Sequence, residues 1–272
     1  MTGPIKGAIA LANSLSVERE VTVVTIKNIS QGTLNIHRSV KVINLHEYSS
    51  NYFKKIILYK KILEKAGPKK NVASISMLFS ADFVNIFCNK QSLTCSSVRG
   101  NLLKIYRMDY GIFGLPLAII HLMSLRKFQK LVSMSKEMAD QVKFFSGKDS
   151  LIIGNFIDEK PIHKYKLIRS NAFFAERSFV FVGSISERKN PLLLLKTIHN
   201  LKQNGYKISL DLVGDGPLMS SVLDEIQRLS IKDCVKVHGH LDNPFDVIAR
   251  SEFFVLPSYS EGTARASLEA LY

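Results

Sequence analysis

Two glutamates, Glu261 and Glu269, stand with seven residues between them in Glu-Gly-Thr-Ala-Arg-Ala-Ser-Leu-Glu, shortly after an apolar run at 253–256. A strand that ends, turns through Gly262 and opens a helix leaves backbone N–H groups without partners at the helix start. Such groups receive anions. With a helix starting near Thr263, Glu269 falls roughly 9 Å further along the axis at 1.5 Å per residue. One carboxylate then precedes the N–H cluster of Gly262, Thr263 and Ala264, and the other lies beyond it. Carboxylates only accept hydrogen bonds. The arrangement suits a ligand with hydroxyls at both ends and phosphates between them, the chemistry of a nucleotide-sugar.

The rest of the chain must supply the scaffold. Its 272 residues, 46% of them hydrophobic, suffice for one large or two medium domains. The longest apolar candidate, 112–125, is interrupted by Gly114, Pro116, His121 and Ser124, so a membrane-spanning helix is not expected. The first residues lack the basic-then-apolar layout of a signal peptide. Cys88, Cys95 and Cys234 are scattered and form no Cys-x-x-Cys pair. They read as reduced core thiols of a cytosolic protein, with neither a metal nor a disulfide framework implied.

Charge is unevenly placed. Residues 1–150 hold 22 Lys and Arg against 9 Asp and Glu, whereas residues 151–272 hold 15 against 14. A basic half beside a neutral one points to a polyanionic surface. No zinc-finger spacing, RNP-type aromatic motif or helix-turn-helix supports nucleic acid as the partner. An anionic membrane surface is the better expectation, and a merely solvated face is the plain alternative.

Strand and helix alternate through the second half. Strands are expected at 179–182, from 208, at 235–237 and at 253–256, with Gly183 and the Gly214-Asp215-Gly216-Pro217 turn ending the first two. Asn190-Pro191 reads as an N-cap and first helical position, and Asn243-Pro244 as a further helix start. The first half keeps the same rhythm: helix at 7–15, strands at 21–26 and 40–45, and an amphipathic basic helix at 52–65. Strands at 72–78, 93–98 and 131–134, a helix from a Ser135 cap to 145, and a strand at 151–153 follow. Residues 155–177 read as the connector. Short loops joining alternating elements predict α/β architecture, with parallel sheets covered by helices on both faces.

The motifs, taken in order, resemble one family. They are the helix at 7–15 before Glu20-Val-Thr-Val-Val-Thr, Val132-Ser-Met-Ser-Lys-Glu-Met, and Ile152-Ile-Gly-Asn-Phe-Ile-Asp. Phe181-Val-Gly-Ser-Ile-Ser-Glu-Arg-Lys-Asn-Pro, Leu212-Val-Gly-Asp-Gly-Pro-Leu, Val237-His-Gly and the Glu261–Glu269 motif complete the series. The chain resembles the family 4 (group 1) glycosyltransferases. The resemblance implies the GT-B fold: two facing Rossmann-like, doubly wound parallel-sheet domains, here an acceptor-side domain over 1–156 and a donor-binding domain over 157–272.

What the resemblance implies can be placed residue by residue. Glu261 would hold hydroxyls of the donor sugar and Glu269 those of the ribose. The N–H groups of Gly262, Thr263 and Ala264 would hold phosphate oxygens. Arg188 and Lys189 would neutralise the leaving diphosphate, where charge builds up in the transition state. Gly183 and Ser184 end the first strand of the donor domain, and Leu241 lies where the family brings backbone against the base. Ser184 stands where many relatives have arginine. Arg99, where relatives often have an acceptor-side histidine, meets an acidic donor or acceptor group or is a surface arginine. His238 and His240 read as ordinary loop histidines.

The implied reaction is a retaining sugar transfer from a nucleotide-diphosphate-sugar to a glycan or lipid-linked acceptor, in bacterial surface polysaccharide or lipopolysaccharide synthesis. The implied location is cytoplasmic, peripheral at the inner face of the cell membrane. No cofactor and no metal are expected, since the sequence has no Asp-x-Asp and cations can stabilise the diphosphate. Alternatives on the same fold are a sugar-nucleotide epimerase, a glycogen-synthase-like enzyme, or an inactive membrane-associated remnant. A complete doubly wound domain wants roughly six strands. The four expected in the second half, and the absence of the family's first strand and glycine-rich loop before residue 7, make both domains look incomplete. Open sheet edges, poor solubility and no transfer activity are therefore expected of the chain alone.

Overall fold

The computed structural model describes residues 3–28, 36–157, 159–165, 177–261 and 264–272. The chain divides into two compact units, Met1–Phe156 and Ile157–Tyr272. Every strand pair in both is parallel.

The first unit opens with helix α1 (Gly3–Leu15). Strands β1 (Thr22–Thr25) and β2 (Lys41–Asn44) form a two-stranded sheet. Leu45, expected to extend β2, instead opens a short helix, α2 (Leu45–Tyr48), because the Asn44 side chain caps it by accepting from the His46 N–H. Helix α3 (Tyr52–Ala66) follows, capped by Asn51. A separate four-stranded sheet runs β3 (Ala73–Ser76), β4 (Leu93–Val98), β5 (Lys130–Ser133), β6 (Leu151–Ile152) in that spatial order. The single doubly wound sheet expected of this half is thus two sheets. β3 also stops two residues early, since Leu78 takes φ 78° and turns the chain into α4 (Phe79–Asn85).

Helix α5 (Leu102–Tyr110) and helix α6 (Gly114–Ser124) fold back on one another across a turn at Gly111 (φ 60°). Gly114 permits the close approach: a Cβ there would lie 1.9 Å from the Tyr106 carbonyl oxygen. Residues Leu102–Lys127 are long and apolar enough to cross a bilayer, yet this reversal makes them a hairpin. Its core side packs Leu102, Leu122, Leu125 and Phe128 with Val98, Leu131 and Val142 of the sheet and α7 (Lys136–Ser146). Ser135 caps α7 as expected.

The second unit begins with the short helix α8 (Lys160–His163). Its sheet has the expected four strands, β7 (Arg177–Val182), β8 (Ile208–Val213), β9 (Val235–Gly239) and β10 (Phe253–Phe254), in the order β10-β7-β8-β9. Alternation along β7 separates two cores. Phe181 joins Leu210 and Leu212 under helices α9 (Pro191–Gln203) and α10 (Met219–Arg228). Val180 joins Val213 and Ile248 under α11 (Phe245–Ala249), with Ala270 of α12 (Arg265–Leu271) packed alongside. Helices therefore cover both faces, the α/β architecture that the strand–helix rhythm predicts.

Three expectations need correction here. The strand at 253–256 is only two residues long and Phe253 is exposed, because β10 is an edge and pairs with β7 alone. Asn190 is not a side-chain N-cap: it sits at φ 53° after a 3-10 turn over Glu187–Lys189, and α9 starts without a cap bond. The basic helix expected at 52–65 forms as α3, but its lysines do not all face solvent: Lys55, with Ile56, is buried. The Lys55 ammonium is 2% exposed and donates to the Ile26 carbonyl at 2.7 Å, while Ile56 packs with Ile26, Leu45 and Val84.

Candidate functional site

In the second unit the strand ends are laced together by backbone bonds. The Gly183 N–H donates to the Val213 carbonyl, the Gly214 N–H to that of Gly239, and the Ile185 N–H to that of Asp215. The approach is so close that a Cβ on Gly214 (φ 143°) would lie 1.7 Å from the Gly183 carbonyl oxygen. Any side chain at 214 would push β7 and β8 apart. Open parallel sheets bind ligands beyond the carboxyl ends of their strands, and Gly183, Ser184, Arg188 and Lys189 follow the end of β7. Ser184 is exposed and meets only the Ser186 hydroxyl, at 3.0 Å.

Arg188, Lys189 and Glu261 converge although 72 residues of chain separate Lys189 from Glu261. The 3-10 turn carries both cations, and the Tyr259 N–H docks on the Arg188 carbonyl at 2.9 Å. One Glu261 oxygen, Oε1, accepts from Lys189 Nζ at 2.5 Å and from Arg188 Nη1 at 3.0 Å. Arg188 Nη1 also donates to the Ser260 carbonyl at 2.9 Å. Burial pulls the Lys189 ammonium below the ordinary lysine range, and the Glu261 carboxylate opposes that shift. The stem of Lys189 runs past Gly183, where a Cβ would meet its Cε at an ordinary contact distance of 3.6 Å. Glu261 thus bridges the two cations that the resemblance assigns to the diphosphate, and the three side chains together keep a net positive charge.

Helix α12 starts at Arg265, two residues later than expected, with Ala264 as its N-cap. Glu269 is therefore four residues into the helix. Gly262 and Thr263 lie outside the described residues. The helix brings in a residue the motif reading passed over: Arg265 Nε donates to Glu269 Oε1 at 2.9 Å, and both side chains are largely buried. Among the described residues, Arg265 Nη1 is buried without a hydrogen-bond partner. The signal was present in the sequence, because an arginine four residues before a glutamate pairs on one helix face. Leu241 packs on the Val180–Val213–Ile248 core, which fixes the loop after β9.

Two further expectations are refined by the structure. His238 is not in a loop: it lies on β9, and its Nε2 is 2.5 Å from Asp211 Oδ1 on β8. His240 does lie beyond the strand, 3.6 Å from Asp242. In the first unit, Arg99 follows β4 and donates to Asn155 Oδ1 at 2.7 Å. It is thereby oriented within the fold and is not a loose surface arginine. Among the described residues no group of three or more His, Cys, Asp or Glu is placed to hold a metal.

The first unit also contains a buried polar chain that sequence reading missed. Ser76 Oγ donates to Asp82 Oδ1 at 2.6 Å, Asp82 Oδ2 meets His121 Nε2 at 2.9 Å, and His121 Nδ1 meets the Tyr106 hydroxyl at 3.0 Å. The Asp82 and His121 side chains are each 3% exposed. This chain ties α4 to both arms of the α5–α6 hairpin. From sequence alone His121 was only an interruption in an apolar run.

Parallel sheets covered by helical layers are the fold that both units share with solved GT-B proteins. The solved structure of HepE from Anabaena with UDP and glucose superposes with a TM-score of 0.73 at 15% identity, over 100% of this chain and 76% of that one. TarM from S. aureus covers 80% of this chain and 42% of its own, with a TM-score of 0.66 and 16% identity. Residues 176–272, about a third of the chain, match the family described as Glycosyl transferases group 1. A Campylobacter jejuni relative is 23% identical over 99% of this chain and 73% of its own length. It is described as the GalNAc-alpha-(1->4)-GalNAc-alpha-(1->3)-diNAcBac-PP-undecaprenol alpha-1,4-N-acetyl-D-galactosaminyltransferase. The capsular polysaccharide biosynthesis glycosyltransferase CapH of Staphylococcus aureus is 34% identical over 38% of this chain, which spans only 30% of CapH.

Proposed function

We propose that this protein transfers a sugar from a nucleoside-diphosphate-sugar to a hydroxyl of a glycan or lipid-linked acceptor in surface polysaccharide synthesis, with retention at the anomeric carbon. The observation that carries the reading is the convergence of Arg188, Lys189 and Glu261 after β7, beside the helix that holds Glu269. As the C1–O bond to the diphosphate breaks, negative charge grows on the departing phosphate. Arg188 and Lys189 stabilise that charge, so the diphosphate is carried by cations and needs no metal. Glu261, released from the cations by the phosphate, turns to the sugar hydroxyls, and Glu269 accepts from the ribose. The acceptor oxygen bonds to C1 on the face the phosphate leaves, and its proton passes to the departing phosphate oxygen. The name of the C. jejuni relative, with its undecaprenol-linked acceptor, favours a polyprenyl diphosphate-linked glycan.

Such acceptors lie in a bilayer, and the same proposal places the protein at the cytoplasmic face of the membrane. The outward side of α3 supports it. Phe53 and Ile57 are exposed there between exposed Lys54, Lys61 and Lys65, and each lysine near an anionic surface is worth about 1 kcal/mol.

The test is a panel of nucleotide-sugars offered with a polyprenyl diphosphate-linked acceptor, with the anomeric configuration of the product read by NMR. Transfer with retention is expected. Inversion would refute the mechanism, and a chain that binds no nucleotide-sugar would refute the function.

A further inference from the structure

We infer that the tip of the α5–α6 hairpin is a bilayer-inserting wedge. The inference rests on the membrane reading above and adds to it a second element of different chemistry. Ile112 and Phe113, at the turn, are each 78% exposed. Tyr110 and Met108 on one arm and Leu117, Ile120 and Met123 on the other are exposed as well. Phe113, Leu117 and Ile120 recur at helical spacing, so they form one outward stripe. The apolar face continues onto α4: Tyr106 lies 5.8 Å from Tyr110 and 6.5 Å from Phe79 between ring centroids, and Phe79 and Phe87, both exposed, flank Phe83. A contiguous exposed face of this kind marks an interaction site.

The hairpin cannot hide this face by collapsing. Its inner side is fixed by Leu122 and Leu125 in the core and by the Asp82–His121–Tyr106 chain. The wedge is therefore presented rigidly. Charge selects the occupant. Arg107, Arg126 and Lys127 border the hairpin against the single acid Asp109 within it, Lys104 being paired with Glu137, and Lys127 Nζ sits 5.8 Å from the centre of the Phe87 ring. Two copies meeting here would bring these basic borders together. An anionic bilayer instead neutralises them while its acyl boundary takes up Ile112 and Phe113.

The sequence has no tryptophan, so Phe113→Trp makes the tip its own reporter in the full chain. With phosphatidylglycerol-containing vesicles, its emission should shift to the blue and be quenched by lipids brominated on their acyl chains. An unshifted, unquenched tryptophan would overturn the inference. So would a blue shift that appears without lipid as protein concentration rises, which would make the face a contact between copies. The paired change Ile112→Glu with Phe113→Glu should lower vesicle partitioning about tenfold or more; unchanged partitioning would also overturn the wedge. Lys54→Glu with Lys61→Glu separates the two readings. If it abolishes binding while the tryptophan of the Phe113→Trp protein never shifts, electrostatic docking through α3 stands and insertion fails. If neither pair of changes alters binding, both fall.

Discussion

Glu261→Ala should strengthen the binding of a free nucleoside diphosphate while abolishing sugar transfer. One Glu261 oxygen holds both Lys189 and Arg188, so an incoming diphosphate must displace it. The side chains are 11% exposed for Lys189, 25% for Glu261 and 35% for Arg188. A charge-assisted bond contributes about 1.5–3 kcal/mol when shielded, and an exposed ion pair under about 1 kcal/mol. The half-shielded competitor is worth about 1–2 kcal/mol between these limits, or about 5- to 30-fold in affinity. Removing it also leaves burial and the Arg188 charge, both of which lower Lys189, without the carboxylate that opposes them. The gain should therefore fade as pH rises through the lowered lysine pKa, because the neutral amine no longer attracts phosphate. Calorimetry with the nucleoside diphosphate, repeated at several pH values, measures both effects. Weaker binding by the variant would show that Glu261 supports the diphosphate and refute the competition.

Other outcomes follow from the same geometry. Glu269→Ala should weaken nucleoside diphosphate binding about tenfold to a hundredfold, opposite in sign to Glu261→Ala; calorimetric changes of the same sign would end the division of roles. His121→Ala leaves Asp82 buried without its imidazole partner and should cost about 3–5 kcal/mol of stability in urea unfolding of the full chain; a loss under about 1 kcal/mol would mean the chain does not anchor the hairpin. Burial pushes the Tyr59 hydroxyl up to about 12, against a weaker opposing bond from Ser74. The unfolded chain releases that proton near pH 10 while the folded one keeps it, so stability should fall by about 3 kcal/mol between pH 10 and 12, and Tyr59→Phe should flatten that slope. The Cys88 thiol is fully buried and burial raises it to about 11, so its alkylation at pH 8 should track unfolding and lag behind that of Cys234.

Sequence by itself determined the alternation of strand and helix and the four strands of the second unit. Those features rest on local signals: apolar runs of strand length and glycines where strand ends touch. Gly214 shows the strength of such a signal, since only a residue without Cβ fits against the Gly183 carbonyl. The tertiary structure decided which charges meet. Nothing local says that Glu261 neutralises Lys189 72 residues away, or that Lys55 turns inward to the Ile26 carbonyl while its neighbour Lys54 faces water. Helical periodicity gives two faces, but the packing partner chooses which is buried, and a lysine finds its acceptor only when another strand arrives. The α5–α6 hairpin makes the same point. Its sequence shows an apolar run broken by Gly114, Pro116, His121 and Ser124, and only the reversal at Gly111, the close approach at Gly114 and the His121 link to Asp82 make it a rigid hairpin with an exposed apolar tip.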